Sequence, residues 1–116
     1  MDIKPEHLFL EGENVTLIDM DSYGCGDPVF DVAMLMVRLR ELPNLTTASN
    51  ATVELAEKEL VHHYFCSVPN NWRIRLPVNF ACAALKVGLY HVQHQDHHWG
   101  KHIKTLLAAT KIQLSH

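Results

Sequence analysis

Leu8-Phe-Leu-Glu-Gly-Glu-Asn-Val-Thr-Leu-Ile-Asp-Met-Asp-Ser-Tyr-Gly-Cys-Gly-Asp-Pro-Val-Phe-Asp-Val-Ala33 passes from strand chemistry to helix chemistry within one continuous stretch. Residues 7–10 and 15–18 are apolar runs rich in strand formers, separated by Glu11-Gly-Glu-Asn14. Gly12 and Asn14 supply turn chemistry, so the spacing predicts an antiparallel hairpin. Leu8, Phe9 and Leu10 are consecutive, so their side chains alternate to opposite faces and the hairpin is expected to need cover on both. Residues 20–27 then read as a glycine-bearing loop. Asp27-Pro28 reads as a helix N-cap followed by proline at the first helical position, where its missing N–H costs nothing.

Outward from that junction the pattern is helical. Phe30, Ala33, Met34, Val37 and Leu42 recur at helical spacing, and Pro43 is expected to stop the first helix. Ser49 or Asn50 is placed to cap a second helix, whose apolar face is Val53, Leu55, Ala56, Leu60, Val61, Tyr64 and Phe65; Pro69-Asn-Asn71 ends it. A third is predicted from about Pro77 to about Gln93, with Phe80, Ala83, Ala84, Val87 and Tyr90 inward. A fourth spans about 99–114, with Ile103, Leu106, Leu107, Thr110 and Leu114 on one stripe. The fold class expected is α+β, mostly α: an N-terminal hairpin leading into about four helices, with residues 1–116 forming a single domain.

Composition narrows the function classes. Hydrophobic residues make up 47% of the chain and charged ones 20%, which is globular composition. Ten basic and 13 acidic residues give a net charge of −3, so no basic footprint points to nucleic acid or an anionic membrane. No apolar run approaches the ~20 residues that a membrane-spanning helix needs, and Met1-Asp-Ile-Lys-Pro5 lacks the basic and apolar regions of a signal peptide. Cys25, Cys66 and Cys82 form no Cys-x-x-Cys pair, which fits free thiols in a reducing cytoplasm.

The acidic residues carry the chemistry. Asp19 follows the apolar strand Val15-Thr-Leu-Ile18, so it lies at a strand's C-terminal end, a rigid place from which to aim a carboxylate. Asp21 is two residues on, and paired carboxylates repel unless a cation or protons lie between them. In kinases, one Asp orients the attacking hydroxyl and another, beyond the next strand, holds Mg²⁺. Asp2 stands at the required distance upstream of Asp19.

Asp2-x-Lys-Pro-x-His7, then Val15-Thr-Leu-Ile-Asp19-x-Asp21, then Gly26-Asp-Pro-x-x-Asp31-Val-Ala33 together resemble the aminoglycoside phosphotransferase and choline kinase-like family. The likeness is dense over residues 2–33 and only architectural beyond them. It implies a protein-kinase-like fold, use of ATP and Mg²⁺, and phosphorylation of small hydroxylated molecules. On the matching positions it implies that Asp2 accepts or orients the substrate hydroxyl and that Asp19 holds the metal with Asp21 ranking second. Lys4 reads first as a solvated loop cation, although a lysine at that place can touch the transferred phosphate. Asp27 caps a helix, and Asp31 would brace the catalytic loop from below.

His7 stands where the family places a metal-binding Asn. Mg²⁺ prefers oxygen donors, so His7 reads better as a loop-shaping residue than as a ligand. The family's glycine-rich loop, strand lysine, its glutamate partner and the adenine hinge would all precede Asp2. The chain is therefore expected to be the C-terminal part of a large lobe, inactive by itself, and to pair with a second copy or with a missing N-terminal half. The alternatives are a non-catalytic binding or assembly module of the same fold and a histidine-rich metal-binding helical protein.

That last alternative rests on nine histidines, five of them between 91 and 102. His91, His94, His98 and His102 would line one stripe of an uninterrupted helix, able to chelate Zn²⁺, Ni²⁺ or Cu²⁺. Gln95-Asp-His-His-Trp-Gly100 reads instead as a junction between helices, which breaks the stripe. A solvated polar face is the expected role, with His97 and His98 available to cap helix ends. Trp72 and Trp99 are expected to pack the bundle.

Overall fold

A computed structural model of the protein describes residues 5, 8–18, 26–94 and 99–115, and of Trp99 the backbone alone. Among these, an antiparallel pair of strands, β1 (Leu8–Glu11) and β2 (Asn14–Leu17), precedes four helices: α1 (Pro28–Leu45), α2 (Asn50–Cys66), α3 (Leu76–His94) and α4 (Trp99–Leu114). A short 3-10 turn, Asn70–Arg75, connects α2 to α3. The expected hairpin followed by four helices is therefore present. No described helix is long and apolar enough to cross a membrane.

The hairpin register pairs Leu8 with Leu17, Phe9 with Thr16, Leu10 with Val15 and Glu11 with Asn14. Asn14 thus belongs to a strand, and the turn is made by Gly12 and Glu13. Gly12 has φ 61°, a left-handed conformation that costs a residue without Cβ little. The hairpin, expected to need cover on both faces, has little on either among the described residues. Only Leu8 and Leu17 are half-buried, while Phe9 is 55% exposed, Leu10 77% and Val15 62%.

α1 is the central element and packs against α2, α3 and α4. That position explains its broad apolar surface: Val29, Val32, Ala33, Met34, Met36 and Val37 are all buried, more than one stripe's worth. Phe65 from α2, Leu76, Phe80, Ala83, Ala84 and Val87 from α3, and Leu106 and Ala109 from α4 complete the core. Trp72 packs against it as expected. At Gly88 a Cβ would come 3.3 Å from Ile103 Cδ1, a tight contact that the missing side chain avoids where α4 packs on α3.

Several expectations need correction. Pro43 does not stop α1, which continues to Leu45. Proline has no N–H to give Leu39 O, and α1 is closed after it where Thr46 N–H and Oγ1 both donate to Leu42 O, at 2.8 Å each. Leu55, Leu107 and Leu114 lie outside the core, at 61%, 56% and 57% exposed, because α2 and α4 each meet the bundle on a narrower arc than their apolar content suggests. Tyr90 is also outward, and His91 takes the inward position.

Candidate functional site: a carboxylate shared by two buried histidines

Three polar side chains sit in register on the apolar stripes of three helices. On α1, Glu41 is one turn beyond Val37; on α3, His91 is one turn beyond Val87; on α4, His102 is one turn before Leu106. Because those stripes face one another, the three converge. Glu41, His91 and His102 are 2%, 4% and 1% exposed. Glu41 Oε2 lies 2.8 Å from His91 Nε2 and 3.3 Å from His102 Nδ1, so one oxygen faces two imidazoles.

The two rings stack with centroids 4.1 Å apart and planes 4° from parallel. Glu41 Oε1 faces the guanidinium of Arg38 at 3.9 Å and makes no hydrogen bond among the described residues. Burying a carboxylate and two imidazoles in an apolar core carries a desolvation cost, which their mutual interaction helps to offset.

This overturns the solvated-face reading for His91 and His102. The junction after His94 lets α4 fold back on α3, so the two residues approach from facing helices rather than along one. His94 remains exposed, its Nδ1 2.9 Å from Tyr90 O, and stacks on the Tyr90 ring. His97 and His98 lie outside the described residues. Glu41 was not singled out from sequence, although the signal was present: a carboxylate four residues after Val37 continues a buried stripe.

Among the described residues, a second polar cluster surrounds Asp27. Its Oδ1 accepts from Val29 N–H at 3.1 Å, which makes it the N-cap of α1 as expected. Arg75 reaches across in a two-pronged contact, Nε donating to Oδ2 at 3.0 Å and Nη2 to Oδ1 at 2.9 Å. Asn79 Nδ2 donates to Oδ2 at 3.0 Å. Partial burial pushes this carboxyl's pKa upward, but the hydrogen bonds from Val29, Asn79 and Arg75, with the guanidinium charge, outweigh it and hold the group below the usual carboxylate range. Arg75 also lies over the Trp72 ring, 5.0 Å from its centroid. Asp27 thereby ties the start of α1 to the 3-10 turn and to α3, a role larger than capping.

Asp31 is half-buried in the first turn of α1. Asp2, Lys4, His7, Asp19 and Asp21 lie outside the described residues, as does Cys25. Cys66 and Cys82 are free and exposed. No family model, curated protein or solved structure matches this chain.

Proposed function

We propose that this chain is the C-terminal part of the large lobe of a small-molecule phosphotransferase, similar to the aminoglycoside phosphotransferase and choline kinase-like family and working in the cytoplasm. One observation carries the reading: three motifs stand in the family's order and spacing, from Asp2-x-Lys-Pro-x-His7 through Ile18-Asp-x-Asp21 to Gly26-Asp-Pro-x-x-Asp31. The last motif opens a long helix on a cap, Asp27, that is hydrogen-bonded to α3 through Asn79.

Mg·ATP would supply the γ-phosphoryl group, and the carboxylates of Asp19 and Asp21 are the hard oxygen donors that Mg²⁺ takes. The imidazole of His7 fits that ion poorly. Asp2 is assigned to orient the acceptor hydroxyl, and Lys4 to approach the transferred phosphate. Catalysis of this kind is positioning plus charge stabilisation, and these 116 residues contain no glycine-rich phosphate loop. By themselves they are expected to transfer nothing from γ-labelled ATP to aminoglycosides, choline or sugars.

Fused to the reading frame that precedes Met1, the chain should gain transfer to a hydroxyl acceptor. Asp2→Ala and Asp19→Ala should each abolish it. Transfer that survives both substitutions would refute the assignment. An upstream frame with no phosphate-gripping lobe would favour the non-catalytic module, the reading to which His7 at the metal position already leans.

The hairpin gives a second expectation. Phe9, Leu10, Val15 and Ile18 present exposed apolar groups beside open strand edges, an invitation to pair with another copy or with a partner lobe. At micromolar concentration the 116 residues should sediment as a dimer, the simplest closed assembly, and Phe9→Glu should return them to monomer. A wild-type monomer unchanged by that substitution would exclude pairing through the hairpin.

A further inference from the structure

We infer that Glu41, His91 and His102 form a binding site for a divalent transition metal of the Zn²⁺ class, buried where α1, α3 and α4 meet. The inference is independent of the phosphotransferase reading, because none of these residues belongs to its motifs. One carboxylate and two imidazoles from three helices is a nitrogen–oxygen donor set that suits Zn²⁺, Co²⁺, Ni²⁺ or Cu²⁺ and not Mg²⁺ or Ca²⁺.

The spacing is close to what such an ion needs. One ligand atom from each residue lies within 4.8 Å of the others. Bonds of ~2.0–2.1 Å in tetrahedral array put ligand atoms about 3.3 Å apart. Glu41 Oε2 and His102 Nδ1 already stand at 3.3 Å, and the pair with His91 Nε2 opens slightly from 2.8 Å. Glu41 keeps acceptor capacity, since Oε1 makes no hydrogen bond among the described residues. Arg38 faces that oxygen and leaves Oε2 toward the histidines.

The stacked rings determine how the site assembles. A metal lies in the plane of every imidazole that binds it, and two parallel planes share no point. With the rings only 4° from parallel, one must turn before both can ligate. Histidine χ2 is a broad, soft torsion, so the turn moves a ring and not a helix. Metal binding therefore pulls one ring out of the stacked, carboxylate-shared arrangement.

The test is a titration of the chelator-treated 116-residue chain with Zn²⁺ and with Co²⁺. One equivalent is expected to bind, with the visible absorption of four-coordinate Co²⁺. At a free concentration a hundred times the Kd, Zn²⁺ should raise Tm by about 10 °C. His102→Asn and Glu41→Gln should remove the absorption and the shift. His62→Asn with His94→Asn, both exposed, should leave them unchanged. No equivalent bound, or a site lost in the surface variant and kept in His102→Asn, would overturn the inference. Should the core variants fail to fold, X-ray absorption on the Co²⁺-loaded wild type decides. Two imidazoles and an oxygen donor in the metal's shell support the site, and fewer than two imidazoles refute it.

Discussion

Glu41→Ala is expected to cost about 3 kcal/mol of stability in the metal-free chain, measured by urea unfolding, whereas Glu54→Ala on the exposed side of α2 should stay within about 0.5 kcal/mol. The size follows from what is left behind. Without the carboxylate, His91 Nε2 loses its 2.8 Å partner in a site where the ring is 4% exposed, and His102 Nδ1 loses the oxygen 3.3 Å away. Two buried imidazoles then lose the carboxylate they share, and a small cavity opens between three helices. Glu41→Gln should cost less, because the amide oxygen still accepts a hydrogen bond in nearly the same shape. Equal costs for the two variants would mean that packing, and not the shared oxygen, carries the effect.

Asp27→Ala is the second large effect, at about 2–3 kcal/mol. Loss of an N-cap accounts for roughly 1 kcal/mol. The remainder comes from the charge-assisted contacts with Arg75 and Asn79. The carboxylate and guanidinium are about one-third exposed, at 31% and 40%, so solvent screens their attraction and the total stays modest.

The same group makes a pH prediction. Its folded pKa lies below the ordinary value, so the unfolded chain takes up the proton first as pH falls. The stability that Asp27 contributes is complete above the ordinary carboxylate range and is lost as pH drops through its depressed folded value. Asp27→Asn should therefore be less stable at neutral pH and should flatten the acid limb below about pH 4. An acid limb identical in wild type and Asp27→Asn would show that the contact with Arg75 does not persist in solution.

Local chemistry made much of this fold legible before any coordinates. Asp27-Pro28 and Ser49 mark helix starts because an N-cap is satisfied within its own turn, Ser49 Oγ accepting from Thr52 N–H at 3.1 Å. α4 begins and ends where its periodicity indicated. Misreadings concern positions whose meaning depends on a distant neighbour. Pro43 looks like a stop because proline is read by what it removes. One lost hydrogen bond does not end a helix whose central place in the bundle keeps it packed on three others. Leu107 and Leu114 continue an apolar stripe that no described element covers.

The histidines show the boundary most clearly. From sequence, His91 and His102 belong to a run of five in twelve positions and read as polar surface. Their real partner, Glu41, is 50 residues from His91 in the chain. Periodicity places each of the three on a stripe and says nothing about which stripes meet. By itself the sequence determines the hairpin, the four helices, the N-caps of α1 and α2, and the ordered acidic motifs that support the phosphotransferase proposal. Only the tertiary structure brings one carboxylate to two imidazoles, because that encounter depends on α4 folding back across α3 while both press on α1. Hydrogen bonding and metal ligation act over a few ångströms in space, and separation along the chain does not report that distance.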